Sequence, residues 1–311
     1  MNTGWQYVNN NGTAVKMSPK TLVDNVMIGE NGPTLKDNMP SNPNLLINGD
    51  FQVWQRGGAL YGIINNQYFS DRWKMDCLGC VNVSRQLING RFAAQFDIGT
   101  DKAWCGIIQP VEDVQNALSG KKVTISIYTS APACIHAAAV QTSGGMVWFS
   151  FNSSLNMPDR VVGHATIPVF TDMRVDVKVY FNVSNQYPNV YAIKLEEGEN
   201  ATPFVSRPYA EELALCKRYY EVMDHNFIKG IANFGIDQAF PFMAEKRISP
   251  TTSIYSKNGT VNKISYWNNT GWADMDYSTM EALSPMAVRV GGWRSTDSYY
   301  AFIVKADAEI Y

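Results

Sequence analysis

The sequence predicts a mainly β protein: a jelly-roll β-sandwich, then a linking helix and a smaller C-terminal β domain, behind a short N-terminal segment. Three observations carry this expectation. Met173, Val175, Val177, Val179 and Phe181 alternate with Arg174, Asp176, Lys178 and Tyr180, and Val123, Ile125 and Ile127 alternate with Thr124, Ser126 and Tyr128. Strands with one apolar face are what two packed antiparallel sheets require. Hydrophobic residues make up 45% of the chain and charged residues only 17%, so a large core can form beneath a surface of neutral hydrogen-bonding groups. Finally, 311 residues exceed what one core usually holds, about 250–300.

Residues 1–43 read as a docking and oligomerisation segment. A β-like run over 4–8 meets the turn signal Asn9, Asn10, Asn11, Gly12. Ser18 and Pro19 then suit the cap and first position of a helix, with Leu22, Val23, Val26 and Met27 as its apolar stripe and Gly29 as its end. So small a segment has no core of its own and packs on another copy or another protein; a disordered leader is the alternative. Pro40 and Pro43 bracket a linker.

Residues 44–206 form the expected sandwich, entered by NLLINGDFQVWQRG (44–57) with a tight turn at Asn48 and Gly49. A short helical turn over VEDVQNALSGKK, closed by Gly120, feeds the strand at Val123. The linking helix is expected over 207–222, started by Ser206, Pro208, Glu211 and Glu212, with Leu213, Cys216, Tyr219 and Tyr220 as its apolar stripe. Residues 223–311 return to short β runs broken at Asn258-Gly259, at 268–271 and at Gly291-Gly292, and end in a strand pair over 301–304 and 305–310.

Several functions find no support. A net charge of −2 gives no electrostatic case for nucleic acid or an anionic membrane. No apolar run reaches membrane-span length, and the N-terminus lacks a basic-then-apolar leader, so export by another route such as host lysis is expected. Cys77 and Cys80 have C-x-x-C spacing, but nothing completes a metal set or places them at a helix start, so all five cysteines are read as reduced thiols. His136, His164 and His225 stand alone, and no nucleophile elbow, P-loop or dinucleotide fingerprint occurs. Of the local acid pairs, Glu196 and Glu197 face opposite sides of a strand, Asp274 and Asp276 sit beside a turn, and Glu112 and Asp113 are adjacent. None makes a legible catalytic site, so the protein is expected not to be an enzyme.

NLLINGDFQVWQRG and SDRW (70–73), with KLEEGENATPFVSRPYAEELALCKRYYEV (194–222) closing the segment, resemble the carbohydrate-binding-module-like jelly roll of bacteriophage tail fibre and receptor-binding proteins. The string KTLVDNVMIGENGPTLKDNM (20–39) resembles segments that precede fibre or collar domains. The resemblance covers nearly the whole chain. It implies a virion protein, assembled in the host cytoplasm and acting outside, built as a homotrimer. Other virion structural proteins would be met through residues 1–40, and a host cell-surface glycan would be bound. Two alternatives stay open: a capsid or collar decoration protein, and a carbohydrate-binding module of a microbial enzyme or surface protein. Family members often hold a structural Ca²⁺ through a carboxylate just after Asn-Gly-Asp-Phe. Gln52 stands there, leaving Asp50 with Glu197 as oxygen ligands.

Sugars stack their C–H faces on flat rings and pair their hydroxyls with amides and charges. Trp54 and Trp73, inside the family-like strings, are expected in the core. Trp267 and Trp272 flank a polar turn and are the candidate glycan contacts, helped by Tyr266, Asn268, Asn269 and Asp274, with Trp293, Tyr299 and Tyr300 nearby. A platform of Tyr128 and Tyr180 on the sandwich's outward sheet is the competing site.

Overall fold

The alternation of apolar and polar residues becomes two stacked antiparallel sheets in the computed structural model, which describes residues 6–8, 14–16, 41–88, 90–99, 103–112, 118–151, 158–182 and 187–309. Of the N-terminal segment only β1 (Gln6–Val8) and β2 (Ala14–Lys16) lie within that range, paired antiparallel. The expected helix with Leu22, Val23, Val26 and Met27 lies outside the described residues, as does 113–117 of the expected helical turn.

The sandwich strands follow in order: β3 (Ala59–Ile63), β4 (Tyr68–Ser70), β5 (Trp73–Cys77), β6 (Val81–Ile88), β7 (Arg91–Asp97), β8 (Cys105–Glu112), β9 (Lys122–Thr129), β10 (Ile135–Thr142), β11 (Gly145–Trp148), β12 (Ser150–Phe151), β13 (Arg160–Thr166), β14 (Arg174–Phe181) and β15 (Asn189–Glu197). One sheet runs β11-β10-β14-β8-β5-β4 and the other β12-β13-β9-β15-β7-β6-β3. Their inner faces share one core, in which Phe96 of β7 meets Phe181 of β14 at 4.8 Å between ring centroids. Val175, Val177 and Val179 are buried there as expected, but Met173 precedes the strand and is exposed. Strand β9 departs from the half-exposed reading, because Thr124 and Ser126 are also buried. Residues 198–203 fold back over its outer side: Thr124 Oγ1 donates to Gly198 O at 2.7 Å, and Thr202 N donates to Glu196 Oε1 at 3.0 Å.

Trp73 is buried and Trp54 half-buried against the core, as the family-like strings implied. Asn48 is the keystone of the entry motif. Its side-chain amide donates to Val53 O and Asp71 O, both at 2.9 Å, and its backbone carbonyl accepts from Trp73 Nε1 at 2.9 Å. Gly49 is required by close approach: a Cβ there would lie 2.6 Å from Ile193 O.

Helix α1 (Tyr209–Lys217) is shorter than the expected 207–222. Pro208 occupies the cap without a side-chain hydrogen bond, and Tyr219 and Tyr220 lie beyond the helix. Proline presets the entry geometry, and Glu211 and Glu212 supply negative charge to the first turn. Glu212 is itself tied back to the sandwich, accepting from Asn48 N at 2.5 Å.

The C-terminal strands are β16 (Tyr220–Gly230), β17 (Ile236–Pro241), β18 (Thr251–Ser256), β19 (Ile264–Trp267), β20 (Trp272–Met275), β21 (Thr279–Ser284), β22 (Ala287–Gly292) and β23 (Ser298–Asp307). The expected terminal strand pair is one continuous strand. β23 lies between β16 on one side and β18 with β19 on the other, so its two halves are pinned from both edges. A three-stranded sheet, β17-β22-β21, completes a second core around Phe240, Ile254, Val290, Tyr300 and Phe302.

The two β units meet through a polar joint. Asp71 accepts from Gln55 N and Gln55 Nε2 at 2.7 Å each, while Gln55 Nε2 also donates to Tyr220 O at 2.7 Å. Arg72, buried and with a left-handed backbone (φ 70°), pairs with Glu309 and donates to Pro110 O. Arg247 forks onto Glu112, with its Nη2 2.7 Å from Oε1. Buried charges persist only when paired and hydrogen-bonded, and here the partners come from opposite units.

Candidate functional site

Outside the core, the six-stranded sheet presents its other set of alternating residues. Register aligns Asp76 of β5 with Gly106 of β8, Gly106 with Tyr180 of β14, and Tyr180 with Ala137 of β10. One step along, Lys178 lies beside Ala139, and Ala139 beside Trp148 of β11. The result is a floor of small residues, Gly106, Ala137 and Ala139, with large rings rising from it.

Gly106 is what lets Tyr180 lie down: a Cβ there would stand 2.6 Å from Val179 O and 2.8 Å from the Tyr180 ring. The Tyr180 hydroxyl donates to Asp76 Oδ2 at 3.0 Å, and Lys178 Nζ lies 3.1 Å from the same oxygen. Burial raises the Tyr180 pKa, and the Asp76 carboxylate raises it further, so the phenol stays a protonated donor. Trp148 tilts toward Tyr180 at 5.9 Å between centroids and is 52% exposed. Trp104 and His136 join them around an open cleft of about 380 Å³. A large exposed aromatic surface opposes solubility unless a partner covers it. Flat rings over a small-residue floor, edged by His136 and Asn182, offer stacking and hydroxyl pairing together.

The tip residues are arranged differently. Trp267 and Trp272 are cross-strand neighbours on the β19–β20 hairpin, edge to face at 5.6 Å. Trp272 also meets the exposed Phe227 at 5.3 Å, and Phe227 meets Tyr299 at 6.2 Å. Lys257 Nζ sits 5.1 Å from the Trp272 ring. Asp274 shares this face, accepting from Thr260 Oγ1 at 2.5 Å, Asn258 Nδ2 at 2.8 Å and Ser265 Oγ at 3.1 Å. Partial burial raises the Asp274 pKa, but those hydrogen bonds outweigh it and hold the carboxyl below its ordinary value. Tyr266 points the other way, packed on the second core with Arg294 3.6 Å above its ring. Asn268 spends its side-chain oxygen on Thr270 and Gly271 and so builds the turn, whereas Asn269 is exposed with φ 75°. Tyr300 is buried in the core, and Trp293 is exposed with its Nε1 donating to Asn233 O at 3.0 Å.

Tyr128 and Tyr180 cannot share a platform, because they belong to different sheets. Asp50 and Glu197 do not meet either. Gly49 O accepts from Ile193 N at 2.7 Å, which places Asp50 about four residues, or about 13 Å, up β15 from Glu197. Glu197 instead pairs with Lys121 at 2.8 Å. Among the described residues no group of three His, Cys, Asp or Glu is placed to hold a metal ion. None of the five cysteines forms a disulfide; Cys80 is exposed and the others are buried. His225 is wedged between Phe240 and Phe302, and burial lowers its pKa.

No family model matches the sequence, and no curated protein matches it. Among solved structures it is similar to the CBM22-1 xylan-binding domain of Paenibacillus barcinonensis Xyn10C, at 12% identity and TM-score 0.33, covering 52% of this chain and 99% of that one. The tandem CBM22-1 and CBM22-2 domain of the same protein is similar at 10% identity and TM-score 0.33, covering 87% and 92%. At TM-scores this low, the reading of the site rests on its own geometry.

Trp104, Trp148, His136 and Asp76 escaped the sequence reading. Trp148 and Met146 alternate as core residues would, and only the pairing of β11 with β10 shows which side of the sheet they occupy.

Proposed function

We propose that this protein is a non-enzymatic virion fibre or receptor-binding protein that attaches to a host surface glycan, and that the outer face of the six-stranded sheet is its main glycan site. The observation that carries this reading is the cleft where Trp104, His136, Ala137, Trp148, Tyr180 and Asn182 meet, with Asp76 and Gly106 holding Tyr180 from the neighbouring strands: exposed rings beside a flat floor and polar groups. An open face of this kind suits a run of sugar units rather than one. The pair of Trp267 and Trp272 is a second, weaker contact on the tip. Each ring contributes on the order of 1 kcal/mol, so useful avidity comes from several copies displayed together, as a homotrimer docked through residues 1–40 provides.

A glycan array with the full chain, followed by titration of the best oligosaccharide, tests the site. Trp148→Ala is expected to weaken binding by about tenfold or more, equivalent to about 1.4 kcal/mol, with an unchanged thermal transition. Full affinity in a folded variant lacking both Trp104 and Trp148 removes the face from consideration. A carbohydrate-binding module of a microbial enzyme or surface protein would use the same face. Antibody labelling of virus particles separates the two, since only the attachment reading puts this chain on them.

A further inference from the structure

Strands β15 and β7 pair only briefly, at Asn189 with Gln95 and Val190 with Ala94, beside the bond from Phe96 N to Pro188 O at 3.1 Å. Beyond Val190 they part, and residues 44–50 enter the fork. Leu45 N donates to Leu195 O at 2.9 Å, and Ile193 N donates to Gly49 O at 2.7 Å. On the open side of this fork is a cavity of about 340 Å³ with Asp50, Gln52, Arg91, Tyr128, Tyr191 and Phe204 in its wall. It belongs to the other sheet from the Trp148 face and shares no residue with it.

Asp50 Oδ1 is shielded from solvent and has no hydrogen-bond partner. A buried acceptor left unmatched costs about 1–3 kcal/mol, and more when charged, so a turn of the Asp50 side chain toward a donor in the cavity is favoured. The surroundings narrow which donor. Arg85 donates to Gln52 O at 2.9 Å and lies 3.8 Å over the Phe92 ring, which also lines the cavity. Arg91, exposed, lies 3.5 Å from Asp159. Arg91 at the rim, with Arg85 behind Phe92, disfavours a cationic ligand, and Asp50 disfavours an anionic one. Tyr128 stands edge-on to Phe204 at 5.9 Å, and with Tyr191 these rings make an aromatic wall. A neutral ligand rich in hydroxyl donors, with one apolar face and about the bulk of a single ring, satisfies every one of these constraints.

We infer that this cavity binds one neutral pyranose ring at the end of a glycan chain. A ring hydroxyl donates to the Asp50 carboxylate, which turns toward it, Gln52 and Arg91 serve the neighbouring hydroxyls, and the C–H face lies on the aromatic wall. The biological identity of that ring rests on the glycan-attachment reading; the cavity's chemistry does not. The two sites then divide the work: the sheet face reads a length of chain, and the cavity at the fork reads a terminus.

The test uses the full chain with free glucose, galactose, mannose, N-acetylglucosamine and rhamnose, followed by ligand-observed NMR and titration. At least one of them is expected to bind saturably. Asp50→Ala is expected to weaken that binding by tenfold or more, and Asp50→Asn by less. Asp50→Ala should also leave the thermal transition where it is or raise it, because it removes an unmatched buried oxygen. Trp148→Ala should leave monosaccharide binding unchanged while weakening the oligosaccharide, which keeps failure of one site distinct from failure of the other. No saturable binding by any of the five sugars, equal binding by Asp50→Ala, or saturation by Ca²⁺ or a primary amine in their place overturns the inference.

Discussion

Arg72 lies over Tyr219, its guanidinium carbon 3.5 Å from the ring centroid, although the two are 147 positions apart in the chain. Arg56 lies over Tyr220 in the same manner at 3.6 Å. The two tyrosines that the helical stripe would have claimed serve instead as cushions for sandwich arginines. They fasten the sandwich to the tip at the point where one gives way to the other.

The joint is expected to fail when one of its charges is removed. Glu309→Ala leaves Arg72 buried without its partner, and breaking such a pair costs about 3–5 kcal/mol. Calorimetry should show the unfolding transition lowered or split. Asp237→Ala, which removes an exposed pair with Arg289, should cost less than about 1 kcal/mol. Equal effects from the two variants would show that the joint is not what couples the units.

Stability should depend on pH through Asp71. Burial lifts its pKa to about 6, against the lowering pull of Arg56 and Gln55. The folded state therefore holds a proton there that the unfolded chain has already lost, so this group's contribution falls as pH rises from about 4 to about 6. Above that window the cost is constant. Asp71→Asn should flatten this part of the stability curve, measured by urea unfolding at several pH values. An identical slope in the variant would assign the effect to another group.

Gly106→Ala should disturb the candidate glycan face without touching an exposed ring. The new methyl group meets Val179 O and the Tyr180 ring, so Tyr180 must lift and lose its bond to Asp76. Weaker oligosaccharide binding is expected, with a stability loss of about 1–3 kcal/mol from overpacking. Binding at full strength would mean that the position of Tyr180 is irrelevant to the ligand.

On the tip, exchanging both Trp267 and Trp272 for Ala removes an edge-to-face pair worth about 0.5–1.5 kcal/mol beyond its buried area. Lower hairpin stability and a partial loss of cell binding are expected, with monosaccharide binding at the strand fork intact. Cell binding that does not change confines attachment to the sandwich.

A trimer is expected from the stripe Leu22, Val23, Val26 and Met27. Light scattering on the intact chain measures it directly. A monomer at micromolar concentration is the result against it.

Much of this architecture was legible because it is local. The period-two alternation around Val177 and Ile125 announced its strands, and the Asn48-Gly49 turn announced the entry motif. What was not legible depends on partners far away in the chain. The outward side of Thr124 and Ser126 reads as solvent-facing until residues 198–203 fold across it. Tyr128 and Tyr180 read as equivalent until pairing assigns them to different sheets. Trp148 is indistinguishable from a core residue until β11 finds β10. The Trp267 and Trp272 hairpin was visible because it is a local turn, and the fork beside Asp50 was not, because it exists only where two strands part.

Strand β23 gives the protein an order of assembly. It touches β16, β18 and β19, yet it follows all of them in the chain, so the five-stranded sheet has no centre until residue 307 has been synthesised. The sandwich has all of its strands by residue 197. At ordinary translation rates that leaves a wait on the order of ten seconds. During it Asn48, Gln55, Asp71 and Arg72 can settle into a cradle, ready for Tyr219, Tyr220 and finally Glu309. The nascent sandwich is expected to serve as an intramolecular template for the tip, with the edges of β16 and β18 unpaired until β23 arrives.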